Sequence, residues 1–267
     1  MRMVYGTVLL LVLAGFLVLQ NPAARAQDDP AAAVEMFLEA VRQGDSPAAY
    51  ELCSSGVRRG KTAEDFLESP EITSIFGGLK SWETIGVSGE GSIKTVLMKL
   101  TNGEGAQKML GMASLKMRGS YRVRDFLTTP WVTSEARALR YLSDLYARLN
   151  DLDAASETIE KAYALDPNDP KVSAFLGYMF SERETKLDEA RQLIAAAHEK
   201  MPAEPEFMDF MGWYYHKVNN RQESVKWFDM AREAFQKQAD YRTSPEYIRF
   251  SNHVSKAKAS GWRPTQT

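Results

Sequence analysis

Side chains able to do chemistry are few in this chain and widely spread. The single cysteine, Cys53, lies in AAYELCSS, and the three histidines, His198, His216 and His253, all fall in the second half. Structural zinc takes four Cys or His ligands at close spacing, so this set builds no conventional zinc site. No HExxH, Walker-type loop or nucleophile elbow occurs. Gly86–Gly91 (GVSGEG) is glycine-rich, but it lies between two strand-like runs and opens no helix, so it reads as a hairpin turn and not a phosphate cradle. Carboxylates recur in pairs, as Asp151 with Asp153, Asp166 with Asp169 and Glu182 with Glu184, each at a helix end or turn where an acid favours the N-terminal dipole. General acid–base work needs a desolvated pair with separated pKa values, which spacing does not reveal. The reading is of a non-enzyme with no catalytic residue, no cofactor and no metal.

The densest cluster of interaction-prone side chains is Phe210–Asn220 (FMGWYYHKVNN), where aromatic rings, a histidine and a lysine stand within eight positions. What positions it follows from the whole chain. At 267 residues, two ordinary domains fit. Bases and acids balance at 33 to 35, so no global positive field steers the chain onto nucleic acid or anionic lipid. The first 26 residues carry Arg2, the unbroken apolar run Val8–Leu19 and a small-x-small exit at Ala24-Arg25-Ala26, the order of a secretory signal peptide cut between Ala26 and Gln27. The competing reading is a retained anchor; twelve apolar residues rise only ~18 Å as a helix, against a hydrocarbon core of ~30 Å. The expected location is periplasmic or secreted, without stable membrane insertion after cleavage. With one cysteine, an exported chain has no internal disulfide and is held by packing, with Cys53 as a small buried side chain; an intermolecular disulfide or reactive thiol is the alternative.

The second half repeats itself. LRYLSDLYARLNDLDAASETIEKAYALDP, SAFLGYMFSERETKLDEARQLIAAAHEKMP and MDFMGWYYHKVNNRQESVKWFDMAREAF share one grammar. Leu142, Ser143 and Tyr146 precede Ala155, Ile159, Ala162 and Pro167; Leu176, Gly177 and Phe180 precede Ala190, Ile194, Ala197 and Pro202; Met211, Gly212 and Tyr215 precede Ser224, Phe228 and Ala231. The markers Leu142, Leu176 and Met211 recur at spacings that resemble the tetratricopeptide repeat, with three copies at 136–169, 170–204 and 205–240. Two antiparallel helices per copy explain the residue types. A small residue on the first helix meets an alanine or serine on the second, an aromatic one turn later fills the adjoining space, and proline stops the second helix. Gln236 replaces that proline in the third copy, so its second helix is expected to run on toward Gln238. The amphipathic segment 245–258 is expected to cap the array's open end.

The first half has another pattern. Residues 30–54 hold two helical stripes broken at Gln43-Gly44-Asp45, and Thr62–Asp65 reads as the start of a third helix. Beyond Lys80, runs at Trp82–Ser88, Ile93–Thr101, Gln107–Met117 and Tyr121–Phe126 are separated by turn residues, the mark of antiparallel hairpins. Val96, Met98 and Leu100 alternate against Thr95, Leu97 and Lys99, so one face is expected to be the more buried. The fold class is α+β, with helices packed on a curved antiparallel sheet over 27–130, followed by an all-α solenoid over 131–260. The helix type FLEAVRQGDSPAAYELC and the final strand YRVRDF make residues 31–127 resemble NTF2-like, cystatin-related exported domains. That resemblance implies a cone that holds a ligand, a partner or only its own side chains.

In the repeat family the first helices line a concave groove, and the resemblance carries its positions onto Arg137, Arg140, Asp144, Ala147 and Arg148, then Lys171, Ala174, Tyr178, Ser181 and Glu182, then Glu206, Asp209, Trp213, His216 and Lys217. Their three- and four-residue spacing puts each set on one helix face independently of the family. The expected function is an exported adaptor that binds a protein or peptide partner in this groove, with no nucleic acid as partner and homo-oligomerisation left open. The alternative is a small-ligand site in the N-terminal cone, marked by Trp82 or Arg122, with the repeats as an oligomerisation arm. Against groove function stands the blander reading that Trp213 is covered by the C-terminal helix and the arginines are merely solvated; a third function, a purely structural envelope component, differs from the adaptor only by partner and abundance.

Overall fold

Asp29 accepts a hydrogen bond from the Ala31 N–H, and Pro30 brings a helix-ready φ, so helix α1 (Pro30–Gln43) starts there. Gly44, at φ 72°, closes it in the left-handed region that favours glycine. The computed structural model describes residues 28–89, 91–117 and 119–259, so the expected signal segment and its cut lie outside the described residues. The chain divides into two units, 1–134 and 135–267. Among the described residues no helix is long and apolar enough to cross a membrane.

In the first unit Asp45 caps α2 (Ser46–Glu51) through the Ala48 N–H. Thr62–Asp65 does not start a helix. It is a turn in which Thr62 Oγ1 accepts from the Asp65 N–H, because Phe66 and Leu67 alone give no apolar stripe. The later helices are α3 (Ser55–Arg58), which the periodicity did not signal, and α4 (Pro70–Phe76), opened by proline. Four strands follow, β1 (Leu79–Ser88), β2 (Ile93–Asn102), β3 (Gln107–Met117) and β4 (Ser120–Thr128), in a sheet of order β1-β2-β3-β4 with every neighbouring pair antiparallel.

Val96, Met98, Leu100, Leu110, Met112 and Val123 meet Val34, Phe37, Leu38, Ile72 and Phe76 in one core. Phe37 lies 5.4 Å from Phe76 and 6.0 Å from Phe126, so aromatic rings occupy the space between helix and sheet. Trp82 carries the Arg42 guanidinium over its ring, and Arg122 donates to the Glu51 carbonyl, which engages both markers of a ligand-holding cone. The expected alternation on β2 is weaker than foreseen, since Leu97 and Thr95 are buried too. Gly111 on β3, paired to Leu97, has no side chain, and Leu127 and Thr95 close over it; a Cβ there would lie 3.2 Å from each. Cys53 is fully buried in the core and paired by backbone with Val123.

The second unit contains three helix pairs, α5 (Glu135–Arg148) with α6 (Leu152–Leu165), α7 (Pro170–Glu182) with α8 (Leu187–Lys200), and α9 (Pro205–Lys217) with α10 (Arg221–Gln236). Asp151, Asp169 and Asn220 each accept from a backbone N–H of the helix they precede. Lys186, ahead of α8, makes no such bond, and Asp188 and Glu189 supply acid in that first turn instead. Small-residue contacts set how closely each pair approaches. Ser143 Oγ donates to the Ala155 carbonyl at 2.6 Å and Ser224 Oγ to the Gly212 carbonyl at 2.9 Å. A Cβ on Gly177 would stand 2.7 Å from the Ala190 carbonyl, and one on Gly212 would stand 2.5 Å from the Phe228 ring. α10, lacking the proline, has 16 residues against 14 in α6 and α8, and ends at Gln236, two short of the expected Gln238. A 3-10 turn (Tyr241–Thr243) leads into α11 (Pro245–Ala259).

Candidate partner-binding groove

The first helices α5, α7 and α9 bring one polar and aromatic face together, as their three- and four-residue spacing requires. This face is not open where an exposed groove was expected. α11 lies in it, and Arg140, Asp144, Ala174, Tyr178, Ser181, Glu206, Asp209 and Trp213 are all buried. Trp213 is 3% exposed. His253 of α11 stacks on its indole at 4.4 Å between ring centres and 13° between planes. Trp213 Nε1 donates to Glu182 at 2.5 Å, and His216 stacks on the indole at 4.9 Å.

Charge explains why a helix seats itself there. Arg249 of α11 donates to Asp144 of α5 at 2.5 Å and to Glu206 of α9 at 2.5 Å. Glu206 also pairs with Arg140, so one carboxylate serves two guanidinium groups from different helices. His253 Nδ1 donates to Asp209 at 2.9 Å. The Arg249 guanidinium lies over the Phe210 ring, 5.0 Å from its centre, and Arg140 over Phe175 at 4.8 Å. Burial alone would raise the Glu206 carboxyl, but Arg140, Arg249 and Lys171 outweigh it and hold the group below the ordinary carboxylate range. Burial disfavours the Arg249 charge as well, and Asp144 with Glu206 reverses the sign and raises it.

Other expected groove residues do different work. Arg137 pairs with Asp169, the N-cap of α7, at 2.6 Å, and Lys171 pairs with Glu204, the N-cap of α9, at 3.2 Å, so each ties a first helix to the cap of the next first helix. Lys217 donates to the Glu182 carbonyl and pairs with Glu184 at 3.1 Å. Ala147 and the exposed Arg148 border the part of the groove that α11 leaves open, a cleft of about 500 Å³ also lined by Glu182, Ile248, Asn252 and Lys256. Burial, then Lys217 and then His253 lower the His216 pKa from its ordinary value, and Glu182 opposes them. Among the described residues no group of three or more His, Cys, Asp or Glu could hold a metal ion.

Arg249 and His253 are the site residues that sequence reasoning passed over. Their four-residue spacing is visible in EYIRFSNHV, and the acids expected in the groove, Asp144, Glu206 and Asp209, required a cationic counterpart. The apolar stripe of α11 was legible as a cap and does cover α10, with Phe250 5.3 Å from Phe235 and 6.2 Å from Phe228. The polar stripe beside it fills the groove.

Residues 136–179 match the tetratricopeptide repeat family model. Similar solved structures include MamA, residue 41 to the end, from Desulfovibrio magneticus RS-1, at 16% identity over 47% of this chain and 75% of that one, with a TM-score of 0.33. The first TPR domain of human RPAP3 matches at 16% identity over 47% of this chain and 96% of that one, with a TM-score of 0.34. The Sgt2 TPR domain from Aspergillus fumigatus matches at 12% identity over 51% and 89%, with a TM-score of 0.35. No curated protein matches the chain.

Proposed function

We propose that this protein is an exported, non-enzymatic scaffold that holds a protein partner on the concave side of its repeat unit. The observation that carries the reading is that this side already grips a helix, α11, through Asp144, Glu206, Asp209 and Trp213. A surface that pairs two acids with one arginine and stacks an indole on a histidine has the residue types that dominate protein interfaces. The repeat match over 136–179 agrees with a binding role. Export is proposed on the order of charge, apolar run and small residues in 1–26, with the mature chain starting at Gln27 and residing in the periplasm or outside the cell. The first unit is proposed as an NTF2-like module, on its helices packed against a four-stranded meander.

Crosslinking in the producing cell, followed by mass spectrometry, tests the scaffold. The comparison variant is Ala147→Arg with Arg148→Glu, on the open part of the groove, because Trp213 and Arg140 are buried and substitutions there disturb folding. A partner crosslinked to the second unit of the wild type and lost from the variant is the expected result. Equal, background recovery from both would reject the reading, and N-terminal sequencing of the mature protein checks the cut.

A further inference from the structure

α11 works through two stripes. Phe250, Val254 and Ala257 are buried in the apolar core of the repeat unit, with Phe250 against Phe228 and Phe235 of α10. Arg249 and His253, four residues apart and so on one helix face, lie on acids of α5 and α9. An aromatic residue next to the arginine and an aliphatic one next to the histidine complete the pattern Arg249-Phe250-x-x-His253-Val254-x-x-Ala257.

Two features distinguish this contact from those between the helices of a pair. The cleft of about 500 Å³ remains between α11 and the C-terminal ends of α5 and α7, whereas Gly177 and Gly212 leave no room for a methyl group within their pairs. The connection from α10 is Lys237–Ser244, mostly exposed and with Asp240 at φ 52°, a polar hinge long enough to let α11 leave while the helix pairs stay in place.

From these features we infer that the groove is a receptor for a basic amphipathic helix of a partner protein, and that α11 is its resident stand-in, which the partner helix replaces. This rests on the scaffold reading and names the partner's chemistry. The incoming helix carries an arginine for Asp144 and Glu206, an aromatic residue beside it for Phe228 and Phe235, and a histidine or lysine four positions on for Asp209. A helix tethered by so short a linker acts at an effective concentration of order millimolar, so a free helix competes only when it binds better or when the tethered one is weakened.

The probe is a fluorescein-labelled peptide of residues 245–259 (PEYIRFSNHVSKAKA), titrated against the full mature chain by anisotropy. Arg249→Glu in the protein places a carboxylate against Asp144 and Glu206 and unseats α11. The Arg249→Glu chain is expected to bind the wild-type peptide at least tenfold more tightly than the wild-type chain does, and to ignore a peptide carrying the same Arg249→Glu change. A folded Arg249→Glu chain that binds no better than wild type overturns the inference. Should that chain fail to fold, hydrogen exchange on the wild type decides. Amides of α11 exchanging at least a hundredfold faster than those of α9 support an exchangeable helix, and equal protection overturns it. A partner crosslinked to the second unit while the peptide fails to bind removes this inference and leaves the scaffold; no crosslinked partner with a binding peptide rejects the scaffold and the partner helix with it, leaving only an exchangeable α11.

Discussion

Arg249 and Asp144 stand 105 residues apart in the chain and 2.5 Å apart in the fold, with both side chains almost wholly removed from solvent. Breaking one partner of such a pair leaves an uncompensated buried charge, whereas removing both together costs much less. In a cycle of Asp144→Asn, Arg249→Gln and the double variant, urea unfolding is expected to give a coupling of about 2 kcal/mol. Additive effects of the two single changes would mean that the pair holds α11 no more tightly than its separate contacts do.

Gly212→Ala is expected to destabilise the repeat unit by about 1–3 kcal/mol through overpacking, since the new Cβ would lie 2.5 Å from the Phe228 ring. The control is Gly103→Ala, where a Cβ meets nothing within 4 Å. Thermal melts that shift equally for both would show that the close approach of α9 and α10 is not what demands glycine.

His216 gives a pH dependence of definite sign. Burial, Lys217 and His253 lower its pKa in the fold, so the folded state favours the neutral ring. Its contribution is present above the ordinary histidine value and lost as pH falls through the lower folded value. The urea midpoint of the wild type is therefore expected to fall as pH drops below the ordinary histidine value of about 6.5, and His216→Gln should lessen that fall. A slope unchanged by the substitution would assign the effect to other groups around Trp213.

Burial raises the Cys53 thiol to about 12, well above its usual value, with Arg58, Lys61 and Arg122 opposing the shift. A buried thiol of that kind is inert. Ellman's reagent at pH 8 is expected to leave the native chain unmodified and to label one thiol in urea. Rapid labelling without denaturant would show that the core around Val123 opens on its own.

Much of this architecture can be read from the amino acids because local chemistry dictates it. The Ser143–Ala155, Gly177–Ala190 and Gly212–Ser224 correspondences announce two helices at close approach, and Asp151, Asp169 and Asn220 mark where helices begin. The groove face was likewise legible, because helical spacing puts Asp209, Trp213 and His216 side by side. Its occupant was legible only as the possibility that the C-terminal helix covers Trp213. Arg249 is an ordinary arginine in a polar stretch until the chain folds back across three repeats, and no periodicity encodes its pairing with Asp144 and Glu206. The missing helix at Thr62 has a similar cause, since a cap signal is necessary for a helix start but needs an apolar stripe to follow it.

The ion pair between Arg140 and Glu206 bears on how the repeat unit comes apart. In a solenoid whose repeats touch only their neighbours, stability is a sum of nearest-neighbour contributions and the array can melt inward from either end. Arg140 belongs to the first repeat and Glu206 to the third, so this bond skips the second. Loosening the third repeat leaves the buried Arg140 without Glu206, and loosening the first leaves Glu206 with Arg249 alone, so half-melted species carry a penalty that nearest-neighbour contacts do not supply. The first and third repeats are thereby coupled, and melting of the array is more cooperative than its neighbour contacts alone would make it.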